Sequence, residues 1–506
     1  MKKKFIFGLI LLWLGWHLAQ PINLTVADLG RHIKNGELIL SGVWDVLYKN
    51  YYSYICPDYP FINHHWLFGV FSYIIWRFLD FGGLSFVYVS LQIAAFYLFV
   101  SRVKDSTSFG VRCAFCLLSI PLIATRSEIR PEGFSMLLGA LFWLLGDWHN
   151  QGRLKSIHLK IYLFFLQILW VNLHSYFVLG PVMIFMFWLQ ARANQNKEQA
   201  QSFLVSYFII LGACLINPSG LAGALFPLYG TAGLGYVVME GQSVFDMLKT
   251  YPSDPIYPYF IISFVVAMLG WSVVIKRQGF KKHIFMFLMF CLMSYAAFKA
   301  IRFISPYAYF WVPLSAYAWG RWMDSWLAQS RKTGIIILLI SGILVGVLIN
   351  FDFKKGPVFG LVKGNNDAAI FFKKEGLVGP IFSNYENGGY LIFHLSPQHR
   401  FFIDNRVEAV PAEFFKEIYI PMQVNNEAWR IMDKYIHFNV IFFSRNDQTF
   451  WGRKFIIKRL EDPLWAPVFV DDHAIVFLKR TTQNADVIAR YEFKITKFKG
   501  DIVPPG

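Results

Sequence analysis

Charge is scarce in this chain. Only 16% of its 506 residues are charged, and acids are the scarcer half, 32 against 48 bases. Soluble domains carry about 25% charge, so a water-soluble globule is excluded as the main architecture. Cysteine is sparse too, at five residues, and Cys113, Cys116, Cys214 and Cys291 lie in or beside apolar runs. No disulfide framework or zinc knuckle can be read from them. Cys113 and Cys116 have CxxC spacing but no second pair, which reads as helix packing. The chain has no GxSxG, HExxH, P-loop or EF-hand pattern, so the signatures of hydrolases, proteases, ATPases and calcium sensors are missing. No internal repeat or low-complexity tract is present.

Apolar residues are abundant instead: 56% hydrophobic and 19% aromatic, with 52 Phe and 17 Trp. That composition suits lipid-facing helices and interfacial belts, and the chain reads as a polytopic α-helical membrane protein. A spanning helix needs about 20 mostly apolar residues. Candidates run at 5–22, 84–101, 110–125, 133–148, 160–175, 177–191, 203–217, 257–275, 283–300, 303–320 and 333–351, about eleven in all. An uncleaved first helix is expected, because Leu18-Ala19-Gln20 is a poor cleavage site.

The net charge of +16 points to topology rather than to nucleic acid, because the bases sit in short loops and form no recognition module. Lys2, Lys3 and Lys4 hold the N-terminus in the cytoplasm. The apolar stretch 64–79 either spans or lies along the outer interface. Laid flat, it keeps Arg102, Lys104 and Arg112 inside, with Arg153, Lys155, Arg192, Lys276, Arg277, Arg331 and Lys332. The expected topology then puts 23–83, 126–132, 218–256 and everything after Phe351 outside.

From about Asp352 the texture changes. Short apolar runs at 381–382, 400–403, 439–443 and 474–478 read as strands, with helical patterns near 367–375, 387–395, 412–419 and 426–436. This alternation predicts a small α/β domain with a largely parallel sheet, closed by a hairpin over 468–478. The expected domains are 1–351, transmembrane, and 352–506, extracytoplasmic.

Ionisable groups at membrane depth are costly and often functional. On this topology Asp28, His32, His64, His65, Arg126, Glu128, Arg130, Glu132, Asn172, His174, Asn217, Glu240 and Arg302 share the outer face. Asp28 is the favoured general base, against the alternative of a helix-end carboxylate partnered by Arg31 or His32. Arg302, with Lys299 beside it, is placed either to grip a lipid-linked phosphate or to snorkel to the interface. Arg126 to Glu132 packs four charges between two spans, a sugar-orienting loop or a solvated turn. His32, His64, His65 and His174 come from separate loops, so polar substrate contact is expected before a divalent metal, and no cofactor is expected. Asn172 and His174 either line a sugar pocket or cap a helix. Asn384 to Tyr390 and Asp404 to Arg406 follow strands, where α/β domains bind ligands; ordinary turn chemistry is the alternative.

The motifs in their order resemble the GT-C superfamily of integral membrane glycosyltransferases, nearest an uncharacterised bacterial branch related to protein O-mannosyltransferases and aminoarabinose transferases. The matching residues are Asp28, His32 and Gly36; Asn63, Trp66 and Leu67; Arg130 and Pro131; Asn172 to His174; Asn217 to Gly220; Arg302 and Phe303; Asn384 to Tyr390; and Asp404 to Arg406. The resemblance covers nearly the whole chain. It implies a polyprenyl-phosphate-linked sugar donor, transfer on the outer face of a bacterial inner membrane, and Asp28 as base. It also departs from the pattern: Asp28 has no acidic neighbour, and His65 stands where relatives often carry Glu. Expected partners are the lipid-linked donor and membrane lipids; the acceptor is not defined. The alternative is a non-catalytic binding or transport protein for a lipid-linked glycan.

Overall fold

The computed structural model describes residues 2–104, 106–229, 235–236, 238–327, 340–341, 356–445 and 447–493. The expected span at 333–351 lies largely outside them. The first 327 residues form helices α1 (Lys2–Leu18), α2 (Leu29–Leu40), α3 (Trp66–Ser101), α4 (Phe109–Ala124), α5 (Glu132–Asn150), α6 (Ser156–Leu173), α7 (Leu179–Ala193), α8 (Lys197–Ala213), α9 (Gly220–Tyr229), α10 (Val244–Thr250), α11 (Ile256–Gln278), α12 (Ile284–Lys299) and α13 (Ile304–Leu327). The chain divides into two compact units. One comprises Met1–Gln20, Ser85–Pro227 and Val237–Phe359; the other comprises Pro21–Leu84, Leu228–Tyr236 and Gly360–Gly506.

The first unit is helical. Among the described residues, five helical segments are long and apolar enough to cross a membrane: Trp66–Ser101, Ser156–Leu173, Ser175–Ala193, Ile256–Gln278 and Lys281–Lys299. The protein is accordingly a membrane protein, but the structure does not establish eleven spans. At about 1.5 Å per residue, the 16 residues of α4 and the 17 of α1 and α8 reach only about 25 Å of a hydrocarbon core about 30 Å thick. Aromatic side chains fill the interior. Trp143 stacks on Phe310 at 6.1 Å between ring centroids, and Phe187 stacks on Phe285 at 3.9 Å. Stacked and edge-on ring pairs of this kind add to the stabilisation from area burial.

The second unit holds the sheet. Its strands are β1 (Ile381–Ser383), β2 (Val440–Ser444), β3 (Trp465–Val470) and β4 (Ala474–Lys479), in the order β1-β2-β4-β3. Every residue of β2 is buried, as a strand covered on both faces requires. The sheet corrects the expectation of a largely parallel one: β1 pairs with β2 in parallel, whereas β4 runs antiparallel to both β2 and β3. Two strands joined by a short turn can pair only antiparallel, and β3–β4 is the expected hairpin. The stretch 400–403 is not a strand of this sheet. Phe401 makes isolated bridges to Ser53 and Ile381, exchanging backbone bonds with Tyr52 and Tyr54.

Residues 21–84 fold with the C-terminal residues, and α2 forms inside what the sequence shows only as a long outer loop. Glycines let it pack closely. A Cβ on Gly30 would lie 2.6 Å from the backbone oxygen of Gly389, on the helix Gly388–Leu395. One on Gly36 would strike the backbone of Gly69, in α3. Helix α3 itself breaks at Asp80, which takes a left-handed φ of 54° and accepts from the Phe81 amide at 2.7 Å.

Because the obstacle at Gly30 is backbone rather than a mobile side chain, Gly30→Ala is expected to destabilise the protein by about 1–3 kcal/mol. Gly110→Ala, in α4 with nothing within 4 Å, is expected to be neutral or stabilising. Thermal unfolding of both variants in detergent checks this pair.

Candidate functional site

In the second unit, Asp28 stands at the N-cap of α2, and its side chain makes no capping bond to the helix. Its carboxylate accepts from the Asn405 side-chain amide and faces the Arg31 guanidinium at 3.6 Å. Arg31 in turn donates to Asn405 Oδ1 at 3.1 Å. The carboxylate retains 29% exposure, enough to meet a ligand. Close by along α2, the ring of His32 packs edge-on against His65 at 5.5 Å and Phe68 at 4.9 Å, and His64 lies 3.9 Å from His65. The three histidines thus gather, with His64 Nδ1 on the Ile62 carbonyl.

The other C-terminal candidates are held more tightly. Asp404 and Arg406 form a buried ion pair at 2.6 Å, with Arg406 also donating to Asn50 and lying over the rings of Tyr52 and Phe61. Between them in sequence, Asn405 reaches Asp28. Asn384 pins the ends of β1 and β2: it accepts from the Ser444 amide and donates to Glu386 and Asp447, each at 3.1 Å. Glu386 also accepts from the Tyr236 hydroxyl at 2.7 Å. Burial, then the neighbouring Asp447 carboxylate, pushes Glu386 up to about 7, and burial raises Asp447 as well.

The first unit gathers a second cluster. Arg126 donates to Glu132 at 2.6 Å and, through its other terminal nitrogen, to Glu240. Arg130 reaches Glu240 at 3.2 Å and Glu128 at 2.6 Å, and Arg302 approaches Glu240 at 3.9 Å. Three guanidinium groups therefore converge on one carboxylate. Burial alone would raise the Glu240 pKa; Arg130, Arg126 and Arg302 outweigh it and hold it below the usual range. A crevice lined by Tyr88, Gln92, Arg126, Arg130, Glu132 and Ser305 opens here. His174 Nδ1 shares a 2.8 Å hydrogen bond with Ser135, which also accepts from Trp170. Asn172 ties α6 to the end of the next hairpin through the carbonyls of Ile168 and Ile216, both at 2.8 Å. Lys299, the last residue of α12, is exposed.

Reading the sequence isolates neither Asn405 nor Glu240 as a partner. Glu240 stands among the outer-loop ionisable residues, but more than a hundred positions separate it from Arg126, and no local spacing links them. Asn405 carries a weaker signal: it sits between two residues that alternate away from it. Among the described residues no group of three or more His, Cys, Asp or Glu side chains is placed to hold a metal ion.

No family model and no curated protein matches the sequence. Solved structures do match in fold. An archaeal oligosaccharyltransferase, AglB from Archaeoglobus fulgidus, solved in complex with an inhibitory peptide and a dolichol-phosphate, aligns with TM-score 0.60 at 10% identity. The match covers 92% of this chain and 73% of that one. An Archaeoglobus fulgidus oligosaccharyltransferase in its apo form aligns at TM-score 0.56 and 11% identity, over 95% and 74% of the two chains. The same enzyme tethered to an acceptor peptide aligns at 0.56 and 12%, over 95% and 74%. At these identities the likeness is one of fold: the chain shares the architecture of these solved structures.

Because the folded state holds a proton on Glu386 that the unfolded chain releases near 4.5, folding binds protons between about 4.5 and about 7. Stability is therefore expected to fall as pH rises through this window and to level off above it. Glu386→Gln, which mimics the protonated form, is expected to flatten the slope. Thermal unfolding of the full chain against pH, with and without the substitution, measures it.

Proposed function

We propose that the protein is a membrane glycosyltransferase that moves a sugar from a polyprenyl-phosphate-linked donor to an acceptor on the outer face of the membrane. The observation that carries this reading is the fold shared over nine-tenths of the chain with oligosaccharyltransferases, one of them solved with a dolichol-phosphate. The chemistry of the residues agrees with it. Asp28, held by Asn405 and facing Arg31, takes the proton of the acceptor nucleophile as that atom attacks the anomeric carbon. The new bond to the sugar forms as the bond from sugar to phosphate oxygen breaks, and the leaving polyprenyl phosphate keeps the electron pair. Arg302 balances that charge, a task for which a planar guanidinium is well shaped. In this reading Lys299 steadies the lipid-linked phosphate from the helix end. Arg126, Glu128, Arg130 and Glu132, with Asn172 and His174, are the sugar-orienting candidates of the first unit; His65, with His32 and His64, is that of the second. Asn384, Glu386, Asp404 and Arg406 shape the acceptor side in the extracytoplasmic part.

Removing a positioned general base typically costs about 10²–10⁴ in rate. In proteoliposomes supplied with a panel of polyprenyl-phosphate sugars, Asp28→Asn is expected to lose transfer by that factor while still binding the donor. Undiminished transfer by Asp28→Asn removes this residue from the chemistry. Asn405→Ala, which frees the carboxylate to turn, is expected to lose about tenfold in the same assay.

A further inference from the structure

Glu240 is an unusual centre for three arginines. It sits on the single turn Met239–Gly241, none of whose residues is buried, so little apolar packing holds it there. What holds the carboxylate is the charge of Arg126, Arg130 and Arg302. Those arginines are not fully used by it. Buried Arg126 Nε has no acceptor among the described residues. Neither has the hydroxyl of Tyr176, a residue nine-tenths buried. The Tyr176 ring is stacked on Phe303 at 5.1 Å, and its hydroxyl is electrostatically coupled to Arg126, Arg302, Glu132 and Glu240. Two carboxylate oxygens leave buried donors unmatched, and an unmatched buried donor costs about 1–3 kcal/mol. A phosphate monoester, such as the leaving polyprenyl phosphate, offers three terminal oxygens and more charge than a carboxylate, and suits guanidinium geometry equally well.

We propose that Glu240 is a resident counter-ion occupying the site of a phosphate group, and that a phosphate-bearing ligand binds the Arg126, Arg130 and Arg302 cradle by displacing this carboxylate. The inference deepens the proposed function and rests on it. With Glu128 and Glu132, Glu240 completes three negative charges for the three guanidinium groups while no donor is present; without it the cradle would carry an excess positive charge. It also lowers the apparent affinity by the fraction of time the cradle is closed. A bound phosphate group thus has to win the arginines from the protein's own acid. A neutral lipid or a bare sugar cannot do so, which makes the contact a filter for charged ligands.

The test is the affinity of the full chain in detergent micelles for two probes, inorganic phosphate and undecaprenyl phosphate, across wild type, Glu240→Gln and Arg302→Ala. Glu240→Gln is expected to bind about tenfold tighter than wild type, and Arg302→Ala weaker. Tightening with both probes assigns the cradle to the phosphate group itself; tightening with the lipid alone adds a requirement for the chain. Either supports the proposal. Glu240→Asp keeps the charge on a shorter arm. It guards against misfolding of the Gln variant and is expected to fall between the two. If wild type binds, Arg302→Ala weakens binding, and neither Glu240 variant tightens it, the displacement is overturned while the donor role of Arg302 stands. If no variant binds either probe, the proposed function fails with it.

Discussion

Charge at the edge of an apolar bundle has to be answered locally, and the convergence of Arg126, Arg130 and Arg302 on Glu240 is where that constraint weighs most. Each guanidinium comes from a different part of the first unit: the end of α4, the loop before α5, and the turn before α13. Left without a carboxylate they would repel one another in a medium of low dielectric. Glu128, Glu132 and Glu240 supply three negative charges for three positive ones, and the geometry of the loops around the crevice follows from that pairing. Surface ion pairs contribute little to stability, but these are mostly shielded, with side-chain exposures of 15–32% for all but Glu128.

The second unit meets a different constraint, close approach of backbone. Gly30 against Gly389 and Gly36 against Gly69 bring α2 down onto its neighbours. That packing sets the Ala27–Asp28 corner beside Asn405; a Cβ on Gly389 would lie 2.8 Å from the Ala27 carbonyl and 3.1 Å from the Asn405 amide nitrogen. The backbone that carries the candidate base is therefore placed by small residues, and Asn405 then holds its carboxylate. The buried pair Asp404 and Arg406 anchors the loop on either side of Asn405. In this way two residues that look like ligands in sequence serve to hold the one that reaches Asp28.

Much of the helical architecture was legible in sequence because spanning helices carry long apolar runs; α6, α7, α11 and α12 fall within a few residues of their expected places. Helix α2 was not, since its 12 residues include Arg31, Lys34 and Glu37 and read as loop. The direction of β4 was hidden for another reason: apolar runs identify strands, but only pairing across the sheet sets parallel or antiparallel. The candidate residues of each unit were half visible. Asp28, Arg126 and Arg302 stand out because charge is rare in this chain. Their partners Asn405 and Glu240 are distant in sequence, and only the fold brings them near. The Asp447 that faces Glu386 was silent for the same reason.

The central claim is that this membrane fold holds a lipid-linked phosphate on its arginine cradle for transfer. A structure of the full chain in nanodiscs containing undecaprenyl phosphate tests it most directly. The account predicts phosphate density within hydrogen-bonding distance of Arg302 and Arg126 or Arg130, with the Glu240 carboxylate withdrawn. Phosphate bound elsewhere, with Glu240 still seated among the three arginines, would contradict it.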